Sequence, residues 1–222
     1  MPRNLRSQDS GASNHVMNRG DQRQPILNSA AESAPSISRK PSRSRRWLAG
    51  LAITVVVAVA ALYAQYRHRY PYGSSHCCDL LLIRALQEYA ASHGGDFPTG
   101  GPTPEASLSL LYSNVDWVTL HLLRGKTVPL AVAEAAFKRD GRLGPDSCGW
   151  HYVDGLRVDD DPGLAIFWDK IPLGHNGQRR TPPVQTVFFV GGEQRFVPES
   201  KWPEFLAEQA RLLQQRTNSH SP

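Results

Sequence analysis

The stretch "LIRALQEYAASHGGDFPTG", residues 82–100, decides the fold. Together with the residues just before it, it repeats apolar groups at spacings of three and four. Cys78, Leu82, Ala85, Leu86 and Tyr89 fall on one side of a helix, while Arg84, Gln87 and Glu88 point elsewhere. Gly94 and Gly95 then end the helix, because glycine accepts the left-handed conformation common just past a helix C-terminus. "DFPTGGPTP" follows as extended, turn-rich chain. A helix with one apolar face needs a partner to cover it, and the rest of the chain must supply that partner.

Upstream lies "WLAGLAITVVVAVAALYAQY", residues 47–66, which carries no charge. At about 1.5 Å per residue it covers a hydrocarbon core of roughly 30 Å. Trp47, Tyr63 and Tyr66 stand near its ends, as interfacial aromatics do. Arg39, Lys40, Arg43, Arg45 and Arg46 precede the span, and only Arg67 and Arg69 follow closely. That bias predicts a single-pass protein of the cell membrane with residues 1–46 in the cytoplasm and 67–222 on the periplasmic or extracellular side. A cleaved signal peptide is the competing reading, with "AVA" at 58–60 as a cleavage site, but the apolar run is long for one and the charged lead longer still.

Dividing the charge changes its meaning. The whole chain is at +5, yet residues 1–46 hold nine basic and three acidic groups, and residues 67–222 hold sixteen basic and seventeen acidic ones. The basicity belongs to the tail, whose Ser, Asn, Arg and Pro offer too little apolar surface to fold, so residues 1–46 read as disordered. A near-neutral outer domain also argues against nucleic acid as a partner.

"RHRYPYGSS", residues 67–75, reads as a linker punctuated by Pro71 and Gly73. Residues 104–139 are mostly helical in pattern. From Cys148 onward, "GWHYV", "LAIFWD", "QTVFFV" and "QRFV" are short strand-like runs, with "VFFVGGEQRFV" a hairpin about Gly191–Gly192. Trp202, Phe205, Leu206, Gln209, Leu212 and Leu213 then share one side of a last helix, after which residues 217–222 read as a disordered end. Helices first and strands later, with no βαβ alternation, predict an α+β domain over residues 76–216: an N-terminal helix, additional helices, a small antiparallel sheet and a C-terminal helix.

A membrane span, a helix ending in Tyr89, a glycine at 94 or 95, Phe97–Pro98–Thr99, Leu110–Leu111, and then Asp146, Gly149 and Tyr152 resemble, in that order, the major pseudopilins of type II secretion. "WDK…HNG…VFFVGG" also looks like the C-terminal part of pilin-like proteins found in large sets in planctomycete-type bacteria, with Gly191–Gly192 in place of an aspartate–glycine turn. The resemblance implies a pilin-like domain. The span holds no acidic residue and lacks the prepilin processing motif, Pro71 and Gly73 interrupt the helix, and residues 111–145 are additional. Those departures imply a permanently anchored domain rather than a polymerising subunit.

Three cysteines are present, Cys77, Cys78 and Cys148. Outside a bacterial membrane thiols tend to be oxidised, and a disulfide from Cys78, or from Cys77, to Cys148 is expected. It would close a loop of about 70 residues and contribute roughly 4 kcal/mol in the chain-entropy model. The alternatives are buried free thiols, or a metal held by His76, Cys77, Cys78, Cys148 and His151, although neither segment has the C-x₂-C spacing of a strong metal motif.

Asp154, Asp159, Asp160 and Asp161 are candidate calcium ligands, since carboxylate oxygens suit a hard cation and the resembled pseudopilins bind calcium near their sheet. A solvated acidic turn is the plainer reading. Asp169 and His175, with Ser147 or a cysteine, suggest a hydrolase, but no nucleophile elbow, phosphate-binding loop or zinc-protease helix is present. His121 reads as a packed or solvated helix histidine. The expected function is therefore non-catalytic: binding or scaffolding among envelope proteins, with no cofactor beyond calcium. A pseudopilin-like component of a secretion or pilus system, and an extracytoplasmic metal-binding or hydrolytic domain, are the alternatives.

Overall fold

The computed structural model describes residues 43–75 and 79–219. The chain divides into two units, residues 1–46 and 47–222. Most of the basic tail, and His76, Cys77 and Cys78, lie outside the described residues.

Helix α1 (Arg43–Arg69) contains the charge-free span. Its segment Arg46–Arg69, 24 residues, is long and apolar enough to cross a membrane, and none of its most apolar window is buried against the rest of the chain. The helix runs a turn past Tyr66, into the stretch expected to be a linker. Arg67, His68 and Arg69 form that turn, where cations offset the partial negative charge of a helix C-terminus. It stops before Pro71, because a residue preceding proline disfavours helical geometry. The end of α1 is tied to the domain: Arg179 N–H donates to Arg69 O at 2.8 Å.

Helix α2 (Asp79–Ser92) is the helix expected from the opening stretch, with Leu82, Ala85, Leu86 and Tyr89 buried and Arg84, Gln87 and Glu88 exposed. Its exit follows the glycines: Gly95 N–H returns to Ala90 O at 2.9 Å, with φ of +63° at Gly94 and +90° at Gly95. Four short helices follow, α3 (Pro104–Leu108), α4 (Leu111–Asn114), α5 (Leu120–Leu123) and α6 (Leu130–Asp140). Thr103 caps α3, its Oγ1 accepting from Ala106 N–H at 3.2 Å.

The strands β1 (Trp150–Tyr152), β2 (Ala165–Asp169), β3 (Val184–Phe189) and β4 (Gln194–Pro198) make one antiparallel sheet in chain order. Trp150 stands opposite Asp169, a bulge interrupts β2 between Ala165 and Phe167, and β3 and β4 form the expected hairpin with Phe188 opposite Gln194. The α+β class and the small antiparallel sheet are as the sequence predicts.

Every residue of β2 is buried, because the sheet is covered on both faces. One face joins Leu82, Leu86, Phe97, Trp150, Phe167 and Phe188 in the main core. The other carries Ala165, Trp168, Val187 and Phe189, packed under Trp202 and Phe205 of α7 (Trp202–Ser219). Each such large side chain contributes about 1.5–3 kcal/mol by leaving water. α7 runs through Ser219, into the stretch expected to be disordered. Arg216 holds that end, its Nε donating to Asp160 Oδ1 at 2.7 Å and its Nη2 to Gly155 O at 2.6 Å. Of the residues behind the family resemblance, Phe97 and Tyr152 are buried together in the main core, and Tyr152 Oη donates to Pro98 O at 2.8 Å.

Candidate functional site

The face under α7 is not fully closed. Where β1, the edge strand, approaches α7, a groove of about 570 Å³ opens. Trp168 of β2, Trp202, Leu206 and Leu213 of α7, and His151 and Asp154 at β1 and just after it line the groove. Its position follows from strand alternation. Trp150 and Tyr152 turn inward, so His151 turns to the α7 side and stacks on Trp168 with ring centroids 4.1 Å apart. Desolvation lowers the His151 pKa below its usual value; Glu105 opposes that shift and Lys170 adds to it.

Gln209 fixes α7 at the height that leaves the groove open. Its Oε1 accepts from Ala165 N–H at 2.7 Å and its Nε2 donates to Gly163 O at 3.1 Å, so the side chain acts as a short extra strand beside β2. Leu206, three residues earlier, is left 41% exposed.

Asp154 is the polar feature of the groove. Its Oδ2 accepts from the buried Ser107 Oγ at 2.7 Å, and its Oδ1 is buried without a hydrogen-bond partner among the described residues. An unmet carboxylate oxygen beside aromatic and aliphatic walls suits a ligand with an apolar stem and a cationic end.

A second polar cluster lies in the sealed core. Lys126, with a fully buried side chain, places Nζ 2.7 Å from Asp79 Oδ1, 2.9 Å from Asp79 Oδ2 and 2.7 Å from Asp169 Oδ2. The Trp150 ring centroid is 5.4 Å from the same nitrogen. Local backbone geometry makes this possible. Gly125 has φ of +71°, and a Cβ there would meet Gly149 Cα at 3.0 Å, so only a glycine pair lets the loop after α5 lie against the start of β1. Burial pushes the Asp169 carboxyl up to about 7, with Lys126 acting against it. Burial also works against the Lys126 ammonium, but Asp169 and Asp79 outweigh it and hold its pKa above the usual value.

The residues singled out from the sequence are dispersed. Cys148 is buried, its Sγ donating to Leu123 O at 3.3 Å, and burial pushes its thiol up to about 12. It is a free thiol among the described residues, and its expected partners, Cys78 and Cys77, lie outside them, as does His76 of the alternative metal set. The calcium candidates do not converge. Asp154 bonds Ser107, Asp159 pairs with Arg157, Asp160 with Arg216, and Asp161 accepts from Gly163 N–H. Among the described residues, no three His, Cys, Asp or Glu side chains are grouped to hold a metal. Ser147 closes its own turn with Gly144, and His121 lies 3.0 Å from Arg124 on α5. Asp169 meets Lys126 instead of the hydrolase constellation.

Lys126 and Asp79 were missed because nothing local marks them. "RGKT" reads as a surface loop and "CCDL" as an acidic helix start. The alternation of Trp150, His151 and Tyr152 was the signal available for the groove. Comparisons with protein-family models, with curated proteins and with solved structures returned no match to this chain.

Proposed function

We propose that this chain is a single-pass membrane protein whose pilin-like α+β domain, held outside the cytoplasm, binds an envelope protein partner through the groove between β1 and α7. The observation that carries the reading is the buried, unpartnered Asp154 Oδ1 in a groove walled by Trp168, Trp202 and Leu206. The occupant is a protein segment presenting Lys or Arg beside an apolar side chain, whose stem lies on the indoles while its charge meets Asp154. The charge-free span supports the anchor, and the five basic residues before it support the orientation. The order of helix, turn-rich exit and late sheet supports the pilin-like assignment, and the break between α1 and α2 at Pro71–Gly73 favours a fixed anchor over a continuous filament helix.

The test is tryptophan fluorescence of the full chain in lipid nanodiscs, titrated with short peptides that pair Leu or Phe with either Arg or Glu. The expected result is a saturable change with the Arg peptides alone, at least tenfold weaker in Asp154→Asn, which at about 1.4 kcal/mol per decade matches one lost charge-assisted hydrogen bond. Equal response to both peptide charges would contradict the reading.

A further inference from the structure

The groove leaves the Lys126–Asp79–Asp169 cluster unused. Lys126 is 1% exposed and Asp169 2%, so no outside substrate reaches them. A reactive constellation sealed in this way can act only on itself. We propose that Lys126 and Asp169 condense to an intramolecular isopeptide bond, with Asp79 carrying the proton, so that the loop after α5 is covalently fastened to the end of β2.

The geometry divides the roles. Both oxygens of Asp79 lie within 2.9 Å of Nζ, which places this carboxylate to take a proton from the ammonium. Asp169 presents Oδ2 to Nζ at 2.7 Å, while its Oδ1 is buried with no hydrogen-bond partner among the described residues. Two carboxylates around one ammonium leave an excess negative charge in an apolar core, and burial favours removing it by protonating one of them. The more deeply buried Asp169 is the one that takes the proton. A protonated carboxyl is the electrophile an amine requires. The dry surroundings favour neutral amine and acid over charged groups, while the Trp150 ring, 5.4 Å from Nζ, holds the lysine head beside the carboxyls.

The step balances without a further reactant. Asp79 removes a proton from the Lys126 ammonium, and the freed Nζ lone pair attacks Cγ of the protonated Asp169 to form the C–N bond. Asp79 gives the proton it took to the departing hydroxyl, which leaves Cγ as water, and takes the second proton from the nitrogen, so that an amide remains and Asp79 ends protonated and neutral. No oxidation or reduction occurs. One water is released, and the buried charges of the cluster are removed. Holding both reactants at contact in the folded core supplies the effective concentration that bimolecular condensation in water lacks.

The test is the intact mass of the full chain in detergent, after reduction of any disulfide, followed by tryptic mapping. The expected mass is short by one water, with the peptide containing Lys126 joined to the peptide containing Asp169 and resistant to cleavage at Lys126. Lys126→Arg keeps a positive charge at the site and is expected at its full mass, and Asp79→Asn is expected uncondensed. The sequence mass for the unaltered chain would overturn the bond, and a bond to Asp79 would overturn the assignment of Asp169 as electrophile.

Discussion

The two faces of the sheet treat their carboxylates in opposite ways. On the face toward α2, Asp169 is closed in with a lysine and an indole, its Oδ2 meeting Lys126 and its Oδ1 unmet inside the sealed core. On the face toward α7, Asp154 keeps one oxygen unmet beside a groove that no side chain fills. Both arrangements place a carboxylate next to tryptophan. What separates them is their surroundings: Asp169 is sealed in the core and must be answered from within the chain, whereas the half-buried Asp154 borders an open groove.

The largest expected effect comes from breaking the sealed side. Lys126→Ala leaves two buried carboxyl groups with neither a cation nor a cross-link and is expected to cost at least about 3–5 kcal/mol in denaturant unfolding. Leu86→Ala, at a fully buried position on the same side, is expected to cost about 2–5 kcal/mol through lost transfer energy and the cavity left behind. Gln209→Ala tests the seam between the faces, since it orphans Ala165 N–H and Gly163 O. About 1–3 kcal/mol is expected, with loosening of α7 visible as faster amide exchange along β2.

A smaller effect belongs to the histidine at the groove. The folded-state pKa of His151 lies below the unfolded value of about 6.5. As pH falls through that value the unfolded chain takes up a proton that the folded chain resists, so stability is lost on acidification and is fully present above about pH 6.5. His151→Gln is expected to flatten this part of the pH–stability profile, measured as unfolding midpoints from pH 7.5 down to 5. Leu206→Ala is expected to change stability least, by less than about 0.5 kcal/mol, because the side chain is already 41% exposed. It should still weaken binding of the apolar-basic peptides, which separates the open face from the sealed one.

What the sequence disclosed follows the same division. The face of α2, the hairpin at Gly191–Gly192 and the amphipathic α7 were legible because each depends on residues a few positions apart. The Lys126 cluster joins residues 43 and 47 positions apart, through a glycine–glycine contact that no local pattern announces. Leu206 shows the limit within one helix: periodicity placed it on the apolar face of α7, but whether that face is covered depends on the edge strand opposite. The ends of α1 and α7 overran the expected boundaries because composition turns polar before the backbone leaves helical geometry.

Amide hydrogen exchange of the full chain in nanodiscs, with and without a saturating Arg–Leu peptide, tests the binding account most directly. The account predicts added protection confined to residues 151–153, at the end of the edge strand and just after it, and to residues 202–210 of α7. Protection centred elsewhere on the domain, such as around α6, or no protection at any peptide concentration, would contradict it.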